Sequence, residues 1–442
     1  MIYLYLLQKI NFQLSNILNI ITLMNIKDYV NEICLNASSS ASEIACTEES
    51  IKNSILSSLI NEINLSRNQI KSSNYEDVIK FKSSDNFIKS FVDRLMINDE
   101  RIDSMISSIE EIIGLKDPVG EIKNLKVMPS GIKVGKMSMP LGVIAMIYES
   151  RPNVTIDASA LSIKSGNSII LRGGSESIKT NIILAGCIRR ALIKNNINEN
   201  IVQLIENTDR KIVNELLLQN KYIDIVIPRG GKNLIKLIDK LSSISVLRHL
   251  DGICHVFIDK DADINKAISI AINSKTQRTG VCNAMETLIV DINIADKFLP
   301  LLKVQLNEKN VEIRGCPKTK NILGKIKFAS EEDWGTEYLD SILSIIIVSD
   351  FSEAIKHISQ YGSGHTDVIV TENIDTADIF LRRVDSSSVM LNASSRFADG
   401  FEYGLGAEIG ISTNKLHARG PVGIEGLTNE KFIVIGDGNI RY

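Results

Sequence analysis

One cysteine stands in a setting where it could act as a nucleophile. Cys282 lies in the segment 277–287 (QRTGVCNAMET), between a predicted helix over 262–276 and a predicted strand that begins at Glu286. A cysteine in a loop can expose its sulfur, and a cysteine thiolate can attack an acyl carbon and hold it as a thioester. A lone cysteine is more often a small apolar core residue, so spacing alone leaves both interpretations open.

An asparagine follows the first predicted buried strand. Residues 141–147 form a continuous apolar run, which is typical of a strand buried on both faces, and Asn153 comes shortly after it. The Asn153 amide could donate a hydrogen bond to an oxyanion or could cap the helix that follows. The segment by itself favours capping.

Two basic, glycine-containing segments each lie between a predicted strand and a predicted helix. Residues 172–175 (RGGS) follow the strand 168–171, and residues 228–232 (PRGGK) follow the strand 223–227. Glycines let a ligand approach the backbone, and the next helix presents free N–H groups to an anion. Tight turns with exposed basic residues would give the same pattern. The sequence has neither P-loop spacing nor a G-x-G-x-x-G after a strand.

The elements that must position these residues alternate along the chain. Helices are predicted over 25–116, with a helix start at Ser66 because Ser66 and Gln69 have capping-box spacing, and a hairpin is predicted near 127–136. From residue 141 onward strands and helices alternate, which predicts two consecutive α/β units with mainly parallel sheets. After 141–147 the predicted strands are 168–171, 201–205, 223–227, 255–258, 286–290, 342–348, 368–371 and 388–391. The predicted helices between them include 175–192, 209–219, 232–241, 295–307, 352–361 and 376–384.

Composition excludes several classes of protein. The 442 residues carry 50 basic and 53 acidic side chains, and this near-neutral balance lacks the basic excess that nucleic-acid binding needs. Six cysteines without a Cys-x-x-Cys pair are not a disulfide framework, which indicates a reducing compartment such as the cytoplasm. Five histidines without ligand spacing argue against a metal site.

The first 23 residues differ from the rest of the chain. They are rich in Leu and Ile, but Lys9, Gln13 and Asn16 interrupt the apolar run. The segment therefore fits neither a signal peptide nor a membrane-spanning helix. We expect residues 1–23 to be a non-native or disordered extension, with Met24 as the natural start.

From about Met24 onward the chain resembles the γ-glutamyl phosphate reductase family of the aldehyde dehydrogenase superfamily. The segments that carry this resemblance are 148–157 (YESRPNVTID), 164–175 (KSGNSIILRGGS), 280–287 (GVCNAMET), 361–368 (YGSGHTDV), 392–413 (NASSRFADGFEYGLGAEIGIST) and 415–421 (KLHARGP). The resemblance implies an aldehyde dehydrogenase-like α/β fold with two Rossmann-like domains and a β-hairpin oligomerisation arm. It assigns residues 24–125 and 142–276 to a cofactor-binding domain, 277–419 to a catalytic domain, and 126–141 and 420–442 to the arm.

The resemblance also gives roles to individual residues. Cys282 would be the nucleophile, and Asn153, with the Cys282 backbone N–H, would form the oxyanion hole. No glutamate stands at Ser175 to repel a 2′-phosphate, so Arg172 with Ser175 favours NADPH over NADH. Thr279 stands where the family pattern leads us to expect proline. The remaining expected cofactor-binding residues are Gly173, Gly230, Gly231, Glu332 and Trp334, and the expected substrate-binding residues are His249, Arg396 and Arg419.

The implied activity is the NADPH-dependent reduction of L-glutamyl 5-phosphate to L-glutamate 5-semialdehyde through a cysteine thioester, with release of phosphate. This is the second step of proline biosynthesis from glutamate. His249 replaces the glutamate that activates hydrolytic water in ordinary aldehyde dehydrogenases, and a reductase must not hydrolyse its thioester. The resemblance further implies a cytoplasmic homo-oligomer, a dimer or larger, with functional coupling to glutamate 5-kinase. A hydrolytic or coenzyme-A-acylating relative, or a scaffold without activity, are the alternatives.

Overall fold

The computed structural model describes residues 25–83, 89–248 and 251–441. The chain forms two compact units. Unit 1 has three segments, which are the residues up to Leu247, Gly406–Gly410 and the residues from Gly423 onward. Unit 2 has two segments, Arg248–Leu405 and Ile411–Val422. The expectation for residues 1–23 concerns a segment outside the described residues.

Helices make up the N-terminal part of unit 1, as the sequence predicts. Residues 25–45 are helical (α1), and they are followed by α2 (Glu49–Lys82), α3 (Lys89–Leu95) and α4 (Asp99–Gly114). In α2, acidic Glu49 in the first turn and basic Lys82 in the last turn suit the helix dipole. The buried face of α2 has helical spacing through Ile55, Leu59, Ile63 and Ile70.

The predicted helix start at Ser66 is wrong, because α2 runs through that position without interruption. The Ser66 side chain is buried and accepts a hydrogen bond from Arg190 Nη2 at 3.1 Å. Its hydroxyl therefore binds a side chain from another helix, and no backbone N–H is left for it to cap. Capping-box spacing is a local signal, and packing against a neighbouring element has overridden it here.

A three-stranded antiparallel sheet in unit 1 contains the predicted hairpin. Its strands are β1 (Ile122–Val127), β2 (Lys133–Pro140) and β17 (Thr428–Ile435), in the order β1-β2-β17. Gly131, in the turn between β1 and β2, has a φ of 86°, which favours glycine. The outer strands expose large apolar side chains, among them Val127 and Phe432 at 68% and 72%.

Unit 1 also contains a parallel sheet of five described strands. The strands are β3 (Val143–Tyr148), β4 (Ser168–Arg172), β5 (Val202–Leu204), β6 (Ile225–Arg229) and β7 (Ser245–Val246), in the order β5-β4-β3-β6-β7. The helices of this part are α5 (Asn153–Lys164), α6 (Ile178–Lys194), α7 (Lys211–Leu216) and α8 (Lys232–Leu241). The strand order reverses between β3 and β6, which is where doubly wound sheets bind ligands.

Unit 2 is built on a parallel sheet of seven described strands in the order β11-β10-β12-β9-β8-β13-β14. Their bounds are β8 (Cys254–Ile258), β9 (Met285–Asp291), β10 (Glu312–Gly315), β11 (Lys327–Phe328), β12 (Ile342–Val348), β13 (Thr366–Val370) and β14 (Ser388–Leu391). The helices are α9 (Ile264–Thr276), α10 (Ile292–Glu308), α11 (Pro317–Leu323), α12 (Glu331–Trp334), α13 (Phe351–Tyr361) and α14 (Ile374–Arg383). Two short strands, β15 (Gly410–Ser412) and β16 (Gly420–Val422), pair with each other.

The border between the two units differs from the expected one. Residues 248–276 were expected in the cofactor-binding domain, yet they contain β8 and α9 of unit 2, and β8 pairs with β9 and β13 inside the seven-stranded sheet. Gly406–Gly410, expected in the catalytic domain, belong to unit 1. Alternation of strands and helices predicts parallel sheets but does not say which sheet a given strand joins. The functional assignment of the two units stays a prediction.

Candidate active site

Cys282 lies in the turn between α9 and β9 and is half-buried. The next residue, Asn283, holds this turn in place through both its side chain and its backbone. Asn283 donates through Nδ2 to the carbonyl oxygen of Ala398 at 2.9 Å, and its own carbonyl accepts from Ser395 Oγ at 2.7 Å. The cysteine is therefore on a loop, as predicted, but on one whose backbone is tightly bound within unit 2.

A second cysteine lies directly behind this turn. The buried Cys254 thiol donates to the carbonyl oxygen of Cys282, with a sulfur–oxygen distance of 3.2 Å. Burial, with a further contribution from the Asp367 charge, raises the pKa of Cys254 well above its ordinary value. A Cβ at Gly252 would collide with the same Cys282 carbonyl, so only glycine fits there. Cys254 thus stays a thiol, and of these two cysteines only Cys282 is partly exposed.

A buried ion pair that was not predicted from the sequence joins the two ends of the Cys282 turn. Lys275, near the end of α9, lies 2.6 Å from Glu286, near the start of β9, and both side chains are fully buried. Glu286 also accepts from the backbone N–H of Leu339 at 3.1 Å. Burial raises the pKa of Glu286 and lowers that of Lys275. Two opposite charges flanking the Cys282 motif are the signal that could have found this pair.

Two arginines of unit 2 are electrostatically linked to the Cys282 turn. Arg396, a predicted substrate residue, is half-buried and donates through Nε to Gln277 Oε1 at 2.8 Å. Burial lowers the pKa of Arg396, and Arg278 and Cys282 are among the groups whose charges act on it. Arg278 is exposed, precedes Cys282 by four residues, and was not predicted as a site residue. The turn therefore has positive charge suited to an anionic leaving group.

The other predicted substrate residues lie in different settings. Arg419 donates through Nη2 to the Asp385 backbone carbonyl at 2.8 Å and forms an ion pair with its carboxylate at 2.9 Å. Lys415 binds the same carboxylate, so Arg419 belongs to a surface ion-pair cluster. His249 lies outside the described residues. Substrate binding by either residue stays a prediction.

The two predicted ribose contacts of α12 have different exposures. Trp334 is 7% exposed and packs edge-on against His357, with ring centroids 5.4 Å apart. Glu332 is exposed. Asp333, between them, is buried, but hydrogen bonds from Tyr338, Ser330 and Arg314 outweigh that burial and lower its pKa to about 2. Trp334 is thus a core residue, whereas Glu332 is exposed to solvent, and ribose binding by either residue stays a prediction.

In unit 1 the end of β4 carries the first glycine segment. Arg172 is 7% exposed and donates to the carbonyl oxygens of Gly173 and, at 3.2 Å, of Thr208. Burial lowers the pKa of Arg172. Ser175 is exposed and begins a short 3-10 turn, Ser175–Ser177. A Cβ on Gly173 would collide with Asn181.

The second glycine segment joins β6 to α8 and already binds a carboxylate. Gly231 is the N-cap of α8, and its N–H donates to Glu149 Oε2 at 2.9 Å. A Cβ on Gly230 would collide with the same oxygen. Glu149 follows β3 directly, so its carboxylate lies at the point where the strand order reverses. The helix N-terminus thus binds an anionic group of the chain itself.

Asn153 does not cap α5, so the capping interpretation is wrong. Pro152 is the N-cap, with helical φ and ψ of −58° and −31°, and Asn153 is therefore already the first residue of the helix. The Asn153 side chain is exposed, and its Nδ2 donates to Asp157 Oδ2 at 2.9 Å. Its amide thus points along the helix surface and is accessible for a further hydrogen bond.

Among the described residues, no helix is long and apolar enough to cross a membrane. The same residues include no group of three His, Cys, Asp or Glu side chains that could hold a metal ion. A cleft of about 700 Å³ in unit 2 is lined by residues that include Lys303, Lys320, Lys325 and Lys327. None of the predicted site residues that the structure describes lines this cleft.

The chain is similar in sequence and in structure to known aldehyde dehydrogenases. Residues 95–321 match the model of the aldehyde dehydrogenase family. The chain is 52% identical over 417 residues to the γ-glutamyl phosphate reductase of Ruthia magnifica subsp. Calyptogena magnifica. The aligned region covers 94% of this chain and 99% of that protein. The crystal structure of the Thermotoga maritima γ-glutamyl phosphate reductase superposes with a TM-score of 0.91 at 43% identity, covering 93% of this chain and all of that one.

A more distant structure shares the fold alone. Glyceraldehyde-3-phosphate dehydrogenase GapN of Methanocaldococcus jannaschii, solved in complex with NADP, has a TM-score of 0.65 at 19% identity, covering 93% of this chain and 95% of that one. The chain therefore belongs to the aldehyde dehydrogenase family and, within it, to the γ-glutamyl phosphate reductases. The family, the fold and the oxidoreductase activity that the resemblance implies are confirmed.

Proposed function

We propose that the chain reduces L-glutamyl 5-phosphate to L-glutamate 5-semialdehyde, with Cys282 as the nucleophile. The observation that carries the assignment to this residue is the contrast between the two neighbouring thiols. Cys254 is fully buried with a raised pKa, whereas Cys282 is partly exposed on a backbone that hydrogen bonds fix in place. A nucleophile needs exposure and a defined position, and only Cys282 of this pair has both.

The strand ends of unit 1 fit a nucleotide cofactor. Gly230 and Gly231 have no side chains to hinder a phosphate, and the N-terminus of α8 already binds an anionic group, the Glu149 carboxylate. Arg172 and Ser175 would hold the adenosine side of NADPH, and the absence of a glutamate at Ser175 suits a 2′-phosphate. Bound NADPH supplies the hydride for the reduction.

The residues of the chain account for the other steps. The Cys282 thiolate forms a bond to the γ-acyl carbon, the bond from that carbon to the phosphate oxygen breaks, and phosphate leaves with the electron pair. The guanidinium groups of Arg396 and Arg278 would stabilise this leaving group. After reduction, the carbon–sulfur bond breaks, the electron pair returns to Cys282, and the aldehyde is released.

The oxyanion that precedes product release needs hydrogen-bond donors. The resemblance assigns this role to the Asn153 amide and the Cys282 backbone N–H, and one such donor contributes about 10²–10³-fold to the rate in other enzymes. His249, where hydrolytic relatives have a glutamate, supplies no carboxylate base for water. The thioester is therefore reduced and not hydrolysed.

The assembly and the location of the protein also belong to this proposal. Val127, Phe432 and Val434 expose apolar surface on the three-stranded sheet, and such surface is typical of an interface. We propose that this sheet is the oligomerisation arm of a cytoplasmic dimer or larger assembly. Functional coupling to glutamate 5-kinase follows from the chemistry, because a kinase must supply the labile acyl phosphate.

The reaction is tested most directly in reverse. Purified protein receives glutamate semialdehyde, inorganic phosphate and NADP⁺, and NADPH absorbance is followed. Cys282→Ala should abolish the phosphate-dependent signal, whereas Cys46→Ala, a change at an exposed cysteine, should leave it unchanged. Cys254→Ser should retain turnover, because that thiol is not the nucleophile. Phosphate-dependent NADPH formation by the Cys282→Ala protein would overturn the assignment.

A further inference from the structure

A carboxylate lies one helical turn from the proposed oxyanion donor. Asn153 begins α5, Asp157 follows four residues later on the same face, and Nδ2 of the amide is 2.9 Å from Oδ2 of the carboxylate. Asp157 is half-buried, whereas Asn153 is exposed. Neither the sequence motif nor the resemblance gives Asp157 a role.

This contact decides which end of the asparagine amide is presented to a ligand. An amide can rotate by half a turn and exchange its oxygen for its nitrogen, but only the NH₂ group can donate to an oxyanion. An ionised carboxylate is an acceptor only, so it binds the NH₂ group and not the oxygen. One Nδ2 hydrogen is taken by Asp157, and the second is left for another acceptor.

Groups from two neighbouring elements face the Asp157 carboxyl. The Ser108 hydroxyl of α4 approaches it, and the Arg229 guanidinium at the end of β6 contributes a positive charge. Burial nevertheless dominates and raises the pKa of Asp157 to about 6. The carboxyl is therefore ionised at neutral pH and becomes protonated in mildly acidic solution.

We propose that Asp157 is a positioning residue, whose carboxylate fixes the Asn153 amide with its NH₂ group available to the oxyanion. The inference rests on the proposed function, since it needs Asn153 in the oxyanion hole. A protonated Asp157 can instead donate its O–H to Asn153 Oδ1, which stabilises the reversed amide. The carboxyl thus couples the state of its own proton to the orientation of the donor.

The first test separates orientation from mere helix stabilisation. Asp157→Leu should lower kcat about 10- to 100-fold, a part of the 10²–10³-fold effect of a whole donor, with the KM for NADP⁺ within about twofold of the parent value. Asp378→Asn is the matched control, because Asp378 and Arg382 form a comparable i, i+4 pair on α14. It should leave kcat unchanged, and an unchanged kcat in Asp157→Leu would overturn the proposal.

A double substitution separates this inference from the proposed function. Because Asp157 acts through Asn153, the double variant Asn153→Ala/Asp157→Leu should be no slower than Asn153→Ala alone. If Asn153→Ala itself leaves kcat unchanged, the oxyanion assignment fails and this inference with it. If Asn153→Ala is slow but the two losses multiply, only the positioning role of Asp157 is overturned.

The pH dependence provides a measurement that does not require Asp157→Leu to fold. Dividing the parent kcat by the kcat of Asp157→Asn at each pH removes the contribution of groups that titrate in the same way in both proteins. This ratio should be above one at pH 7.5 and fall towards one as the pH falls through about 6, because the parent carboxyl then becomes neutral like the amide. A ratio that does not change between pH 5 and pH 8 would refute the orientation mechanism.

Discussion

The carboxylate at the N-terminus of α8 competes for the position that we assign to the cofactor phosphates. The Gly231 N–H donates to Glu149 at 2.9 Å, so NADPH must displace this group before its phosphate can accept the same hydrogen bond. Glu149→Gln keeps the size of the side chain and an acceptor oxygen but removes the negative charge. We expect this substitution to strengthen NADPH binding.

The size of the effect follows from the charge that is removed. A negative charge at an exposed helix N-terminus contributes about 0.3–1 kcal/mol, and a hydrogen bond to a charged group contributes about 1.5–3 kcal/mol before solvent screening. Glu149 is half-buried and Gly231 is exposed, so we expect the carboxylate to bind the Gly231 N–H about 1 kcal/mol more strongly than the amide does. Such a difference lowers the Kd for NADPH about fivefold.

The assay is a titration of the protein with NADPH, followed by nucleotide fluorescence or by calorimetry. Glu199→Gln is the matched control, since Glu199 is an exposed glutamate of the same unit on a 3-10 turn, and its Kd should equal that of the parent. The advantage of Glu149→Gln should shrink in high salt, because charge repulsion is screened. An unchanged or raised Kd would show that Glu149 does not compete with the cofactor.

Two further predictions concern the support of the Cys282 turn. Gly252→Ala should lower activity at least about 100-fold. The added Cβ would collide with the Cys282 carbonyl and displace the nucleophile, and a displacement of about 1 Å can lower the rate by that factor. Gly114→Ala, at a position with no atom within 4 Å of the added Cβ, should retain parental turnover. Lys275→Met leaves the buried Glu286 without its partner and should lower the free energy of unfolding by about 3–5 kcal/mol, measured by urea denaturation. Substituting both residues of this pair by apolar ones should restore much of the loss, and equal losses in the single and double variants would contradict that account.

Several elements could be predicted from the sequence because their signals are local. The predicted bounds of α8, β12 and β14 agree with the structure, since apolar spacing and flanking polar residues mark both ends. The residues to which we assign the chemistry could be identified only through the resemblance to a family. Spacing alone left Cys282 undecided between a core residue and a nucleophile.

The features that were not predicted from the sequence depend mostly on contacts between distant segments. Glu149 binds Gly231 across 82 residues, and no local pattern indicates that its carboxylate lies at a helix N-terminus. The predicted border after residue 276 differs from the border after Leu247 in the structure for the same reason, because only the hydrogen-bonding partners of β8 assign it to a sheet. The Asn153–Asp157 contact is local, but its meaning depends on which residue begins α5.

The three-stranded sheet has a consequence for how the chain folds during synthesis. Lys136 on β2 and Glu430 on β17 form an ion pair across 294 residues, so the ribosome must add that whole stretch before β17 can join β2. Until then β2 has a row of backbone groups without a strand partner, and such an edge can pair with other chains. Late closure of so long a loop is also slow. Once β17 has joined, it covers an edge of β2 that would otherwise be open to other chains.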